Sequence, residues 1–314
     1  MSAMPRVTVI MATYNWSTVL PYSIGSVLDQ TFTDWELLVV GDGCTDDSGR
    51  VVAAVGDARV RWIDLQPGTH HQYGPNNEGL RQAAGTIVAY LGHDDLWLPG
   101  HLERAVDAID AGADFAYSIG LPVDTAGGFQ PPLIETRAGW IAPSCVVHRK
   151  GVTDAIGGWR DFRALSIGPE HDLWLRIRRA GYRRILIPRL GAVKFPASQR
   201  PDVYRTRPCH EQALWLARIR AQPDFEAIEL GHLVAGLNRL ASVAHFGRRL
   251  WRLVTEPSQW LAFVRRGGGA RITARQRYKG AARGRADDGG NHVGRGAQGP
   301  AGGDQRLADD SSGD

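Results

Sequence analysis

Cysteine is scarce in this chain of 314 residues, and the three present, Cys44, Cys145 and Cys209, lie far apart. None forms a CxxC pair or sits at metal spacing from a histidine, which excludes a disulfide framework and a structural zinc site and points to a reducing, cytoplasmic setting. Long apolar runs are also missing. No stretch approaches the ~18 apolar residues of a membrane span, and the opening run is only about six apolar residues, too short for a signal-peptide core. The expectation is a soluble or peripheral protein. Acidic residues are absent between Arg265 and Arg285, where eight basic residues stand alone, whereas Arg295 and Arg306 beyond them face six aspartates. The overall charge of +4 therefore belongs to the tail, and residues 1–264 balance to zero. A neutral body does not carry the basic face that nucleic-acid binding needs. No internal repeat is present.

What the chain does have is alternation. Short apolar runs at Val7–Met11, Leu37–Val40, Val60–Ile63, Thr86–Leu91 and Phe115–Ser118 are separated by stretches of helical character over about residues 17–30, 45–55, 77–84 and 99–111. Continuous apolar strands separated by helices imply an α/β, Rossmann-like, mostly parallel sheet covered by helices on both faces. From about Gly120 to Pro169 the pattern loosens into Gly-, Pro- and Trp-containing loops. A helix over 170–180 and a strand over 183–187 follow. Three domains result: 1–207 as the catalytic body, 208–264 as a helical appendage, and 265–314 as a Gly-rich charged tail too poor in large apolar residues to fold alone. The basic residues in 248–285 suggest peripheral contact with an anionic membrane at its inner face.

Ligands of open α/β sheets sit beyond the carboxyl ends of the strands, so the residues just after each strand come first. They are Ala12-Thr13-Tyr14-Asn15, Gly41-Asp42-Gly43 and Gly92-His93-Asp94-Asp95. Asp94 and Asp95 either cap the helix that begins near Pro99 or offer hard oxygen ligands to Mn²⁺ or Mg²⁺, with substrate phosphates completing the shell. Glu170 either favours the dipole of its helix or turns a free carboxylate into a cleft. Trp97, Trp140, Trp159 and Trp174 either pack in the core or stack on sugars, Trp140 and Trp159 being the better placed for an acceptor. His148 and His171 are open in the same way. The stretch Lys194–Arg207 is either a solvated linker or a lid over phosphates.

Taken in order, these segments resemble the family 2 glycosyltransferases of the GT-A fold over roughly residues 5–205. The resemblance rests on PRVTVIMATYNWSTVLPYSIGSVLDQTFTDWELLVVGDGCTDDS, on NNEGLRQAAGTIVAYLGHDDLWLPGHLE, on IGGWRDF and on PEHDLWLRIRRAGY. It implies that Thr13, Tyr14, Asn15, Asp42, His71, Asn77, His93, Asp94 and Asp95 surround a nucleotide-sugar donor, with Asp42 on the base. It further implies that Asp94 is the ligand of an Mn²⁺ or Mg²⁺ cofactor, that Glu170 is the general base of an inverting transfer to a hydroxyl acceptor, and that Trp140 and Trp159 lie on the acceptor side. Besides Cys44, which stands in place of the usual serine, two positions depart from the family pattern. Gly92 replaces the first aspartate of its Asp-x-Asp run, and Glu170 stands where an aspartate is usual. Both departures motivate a rival, a catalytically silent relative that binds a sugar nucleotide or glycan. A third reading makes the basic run 265–285 the functional part, an adaptor for nucleic acid or an anionic membrane.

Overall fold

A computed structural model describes residues 4–255, with side chains to residue 242. The tail, 265–314, and the side chains of the proposed membrane-contact segment, 248–285, lie outside the described residues. The chain divides into two compact units, Met1–Ser242 and Val243–Asp314. The first holds every candidate site residue.

Its front half alternates as the sequence implies: β1 (Val7–Thr13), α1 (Leu20–Leu28), β2 (Trp35–Asp42), α2 (Ser48–Ala53), β3 (Val60–Leu65), α3 (Tyr73–Gln82) and β4 (Ile87–Tyr90). The strands β1, β2 and β4 are buried almost throughout and rich in Val, Ile and Leu, the composition that packs under helices on both faces. A two-residue β5 (Leu96–Trp97) and α4 (His101–Asp110) precede β6 (Phe115–Pro122). Next come β7 (Val146–Arg149), α5 (Lys150–Ile156), α6 (Pro169–Arg179) and β8 (Arg184–Lys194), and then α7 (Val203–Thr206), α8 (His210–Ala221) and α9 (Phe225–Thr255). No described helix is long and apolar enough to cross a membrane.

The eight strands form one sheet in the order β3-β2-β1-β4-β7-β6-β8-β5. Four of its pairings are parallel, β1 with β2, β1 with β4, β2 with β3 and β6 with β8. The other three are antiparallel, because β7 runs against both β4 and β6, and β5 runs against β8. The mostly parallel α/β sheet is thus present, with an antiparallel strand joining two parallel blocks. Strand β7 and helix α5 fall inside the stretch that the sequence pattern assigns to loops. A four-residue strand preceded by Pro143 and containing His148 gives too little periodicity to be seen. Strand β8 outruns its expected end at residue 187 because Pro188 and Gly191 look like breakers. Its neighbour β5 reaches only Ala192 and Val193, so Pro188 falls on an edge where no ladder hydrogen bond is lost.

The compact unit does not end at residue 207. Leu216 and Ile219 of α8 are buried in a cluster with Leu96, Leu190, Val193 and Phe195, and Arg220 pairs with Asp29 at 2.7 Å. Because α8 and the first half of α9 cover apolar side chains of the sheet, the compact unit runs on to Ser242.

Candidate active site

Register places the site. In the β1–β2 ladder Thr13 lies beside Gly41, and in the β1–β4 ladder Ile10 lies beside Tyr90, so β1, β2 and β4 end at one edge. A cavity of about 670 Å³ opens there. Thr13, Tyr14, Asp42, His71, His93, Asp94 and Glu170 line it together with Gln72, Lys194, Tyr204 and Arg207. Seven of the residues singled out from the sequence therefore share one cavity, although they come from five separate segments. Thr13 Oγ1 and His71 Nδ1 are buried without a hydrogen-bond partner, donors or acceptors that a ligand can satisfy.

The wall beside β1 and β2 is built from carboxylate and amide clasps. Asp42, only 4% exposed, accepts from the Thr69 amide at 2.6 Å and Thr69 Oγ1 at 3.0 Å on one oxygen, and from the His71 amide at 3.1 Å on the other. It holds the turn carrying His70, His71 and Gln72, and His71 stacks on Phe162 with centroids 4.4 Å apart. Asn15 adopts φ +56° and does not line the cavity. Its side-chain Oδ1 accepts from the Thr45 and Asp46 amides, tying the loop after β1 to the loop after β2.

The two neighbouring aspartates have different surroundings. Asp94 lines the cavity, and burial together with the adjacent Asp95 charge raises its pKa above the usual carboxylate value. Asp95 is 1% exposed and faces inward, where Lys194 Nζ, Ser144 Oγ and the Phe195 amide donate to it. Burial pulls the Lys194 ammonium toward neutrality, but Asp95 and Asp94 outweigh it and the net pKa is raised. Gly92 is part of this arrangement. A Cβ there would meet Asp95 Oδ2 at 2.5 Å and Asp94 Oδ1 at 3.2 Å, so the following carboxylates occupy the space that a side chain at 92 would need. His93 stacks on Trp16 at 4.4 Å, and its Nδ1 lies 3.0 Å from the Ala12 carbonyl. A carbonyl can only accept, so Nδ1 carries a proton in this contact.

The implied metal can be weighed against this donor set. Among the described residues no three His, Cys, Asp or Glu side chains converge on one point. Gly92 contributes nothing and Asp95 is engaged, which leaves Asp94 as the carboxylate of the pair that lines the cavity. Mg²⁺ and Mn²⁺ are often held by one or two carboxylates plus substrate phosphates. The residues present fit such an ion only as a bridge to a phosphate-bearing ligand.

Opposite stands Glu170, in the first turn of α6 after Pro169 at its start. Leu173, Trp174 and Ile177 bury the other face of the helix, and the Trp174 indole donates to the Ile141 carbonyl at 2.9 Å. Each Glu170 oxygen accepts one hydrogen bond, Oε2 from Gln72 Nε2 at 2.6 Å and Oε1 from the Trp140 indole at 3.2 Å. Trp140 reaches the site through this bond. His171 points away, its Nε2 2.9 Å from the Ala138 carbonyl.

Trp159 corrects an expectation. It is 3% exposed and sits in the core, so it offers no sugar-stacking face. Its indole donates to the Tyr90 hydroxyl, which in turn lies 3.1 Å from His148 Nε2, while His148 Nδ1 donates to the Arg149 carbonyl. Asn77 also lies away from the cavity. Its amide makes two hydrogen bonds to the Trp159 backbone, at 2.8 and 2.9 Å, and closes the turn through Gly158, whose φ is +64°. The sequence reading passed over Ser144, Tyr90 and Gln212. Gln212 of α8 is 3% exposed and donates to the Asp94 carbonyl at 3.2 Å, which buttresses the acidic turn from behind. No local signal marks these three, because their partners lie 47 to 118 residues away.

Comparison with known proteins agrees with this geometry. Residues 8–146 match the family described as glycosyl transferase family 2. Over 100 residues the chain is 34% identical to the UDP-Glc:α-D-GlcNAc-diphosphoundecaprenol β-1,3-glucosyltransferase WfgD of Escherichia coli, a stretch covering 32% of this chain and 39% of that protein. The chain spans only about a third to two fifths of the length of the first curated relatives it matches. Among solved structures, TarS 1–349 of S. aureus in complex with UDP-GlcNAc superimposes with a TM-score of 0.54 at 18% identity, covering 76% of this chain and 73% of that one. The mannosyltransferase PcManGT of Pyrobaculum calidifontis, in complex with GDP-Man and Mn²⁺, gives 0.50 at 21% identity, covering 90% and 81%. At such identities the structural likeness speaks for the GT-A fold.

Proposed function

We propose that the chain, whose residues 8–146 match glycosyl transferase family 2, is a glycosyltransferase of that family and transfers a sugar, with inversion, from a nucleoside-diphosphate sugar to a hydroxyl of its acceptor. The observation that carries this reading is the pairing, in one cavity, of a carboxylate held by two donors with a polar wall at the strand ends. Glu170, fixed by Gln72 and Trp140, accepts the proton of the acceptor hydroxyl as that oxygen attacks the anomeric carbon from the face opposite the leaving diphosphate. Such general-base assistance is worth about 10²–10⁴-fold. With both oxygens already accepting hydrogen bonds, the carboxylate is held in one orientation.

Thr13, Tyr14 and His71 line the donor end, and Asp42 keeps the His71 turn in place. Asp94 is the residue that would hold a divalent cation, whose chemistry would be Lewis-acid stabilisation of the leaving group. WfgD carries a diphosphoundecaprenol-linked acceptor in its name, which makes lipid-linked glycans the first acceptors to assay, ahead of free glycans and small metabolites. The membrane-contact and tail roles of 248–314 belong to this proposal as auxiliary features, and the catalytic reading does not depend on them.

The test is a screen of UDP-, dTDP- and GDP-sugars for donor hydrolysis and for transfer. Release of nucleoside diphosphate that Glu170→Gln suppresses, with binding retained, supports the reading. Binding of a donor with neither hydrolysis nor transfer would favour the catalytically silent relative.

A further inference from the structure

We propose that Lys194 and Arg207 bind the donor's diphosphate directly, so that uptake of a nucleoside diphosphate does not require the divalent cation that Asp94 would hold during transfer. The inference rests on the reading that the cavity receives a nucleoside-diphosphate sugar. It starts from an imbalance at the cavity floor. The metal donor set is reduced to one lining carboxylate, because Gly92 has no side chain and Asp95 is bound elsewhere. Two fixed cations line the same cavity.

Lys194, the last residue of β8, is placed by Asp95, which is itself held by Ser144 and the Phe195 amide. An ammonium has three donors, and the bond to Asp95 uses one. The others remain for a ligand in the cavity that Lys194 lines. Asp95 thus acts as the post on which a cation is mounted.

Arg207 lines the same cavity from the segment that follows α7. It ends α7 in a left-handed conformation, φ 45°, and its carbonyl accepts from Thr18 Oγ1 at 2.9 Å, which ties this segment to the loop after β1. Nearby arginines are paired, Arg200 with Glu211 and Arg205 with Asp202. Arg207 has no such acid among the described residues, and its Nε is buried without a hydrogen-bond partner. A guanidinium in this condition, lining a cavity, lacks an acceptor, and two oxygens of a phosphate match its planar fork. Tyr204, one helical turn earlier, lines the same cavity and meets Trp16 edge-on at 5.9 Å, so the segment already packs on the donor wall.

The experiment is calorimetric titration of UDP, GDP and the corresponding nucleosides into the full chain, once in EDTA and once in Mn²⁺. We expect one of the diphosphates to bind in EDTA within about threefold of its affinity in Mn²⁺, and to bind more tightly than its nucleoside. Arg207→Gln should lower the EDTA affinity by about tenfold, the effect of one lost charge-assisted hydrogen bond, while leaving nucleoside binding unchanged. Lys194→Met should do the same, its fold checked by thermal melting. Arg207 supports no core, so its variant stays informative if the lysine variant unfolds. Binding that appears only with Mn²⁺, with Arg207→Gln matching wild type, overturns the proposal and leaves the glycosyltransferase reading standing. Absence of binding by either diphosphate, its nucleoside or its sugar form in both buffers overturns both.

Discussion

The two halves of the sheet reach the cavity by different routes. From Val7 to Tyr90 the strands are parallel, consecutive and joined by helices, and the polar residues at their ends are held by partners about 30 residues away, Asp42 by Thr69 and His71, and Asn15 by Thr45 and Asp46. From Phe115 to Lys194 the sheet is assembled out of sequence order, with β7 antiparallel between β4 and β6. There the functional side chains are positioned from afar: Glu170 by Gln72, 98 residues away, and Lys194 by Asp95, 99 residues away. The family match covers residues 8–146, which includes the first half and stops short of both Glu170 and Lys194. The strand-end wall from β1 to β4 is therefore the recognisable part, and the half from Phe115 to Lys194 is the part whose side chains are placed by cross-sheet bonds.

Substitutions can break that contrast. The largest effect is expected from Glu170→Gln, a loss of about 10²–10⁴-fold in transfer with donor affinity kept, measured by product formation beside calorimetry. An equal loss of donor binding would mean that Glu170 belongs to the donor wall instead. Next comes Lys194→Ala, which strands the buried Asp95 charge and should destabilise the fold by about 3–5 kcal/mol in a denaturant titration. Adding Asp95→Asn to it should recover much of that loss, and no recovery would show that the pair does not act as a unit.

Acid should expose the junction strand. Burial holds His148 near pKa 4 and His101 near 3, against an ordinary 6.5. The unfolded chain therefore binds more protons as pH falls below about 6.5. Stability is full above that pH and is lost at about 1.4 kcal/mol per pH unit for each histidine down toward pH 4. Denaturation midpoints from pH 7 to 5 test this, and a flat profile would contradict it. On the donor side Asn15→Ala removes only a local clasp and should cost about 1–2 kcal/mol of stability, read by thermal melting. Gln72→Ala joins the halves and should be the mildest: about tenfold in kcat with little change in donor KM, where a purely donor-side role would move KM instead.

Much of this was legible before any coordinates. The alternation of apolar strands with helices gave the sheet, and the polar turns after β1, β2 and β4 gave the edge where the cavity lies. Asp94 and Glu170 stood out because carboxylates in those positions have chemistry to perform. Asn77 and Trp159 were misplaced for a common reason: each looks like a site residue in its own segment, yet each is satisfied by the other segment, Asn77 by the Trp159 backbone and Trp159 by Tyr90. Strand β7 was hidden by its brevity, and the extent of the compact unit to Ser242 by the plain helical pattern of α8.

The sequence by itself determined the fold class, the edge of the sheet and the chemical types available there, because hydrophobic periodicity and residue chemistry are local properties. It could not tell Asp94 from Asp95, or Trp140 from Trp159. Tertiary structure decided those, turning Asp94 to the cavity and Asp95 to Lys194, and setting Trp140 on Glu170 while burying Trp159 against Tyr90. A buried polar group goes where its partner is, and in this protein the partners arrive from the far side of the sheet.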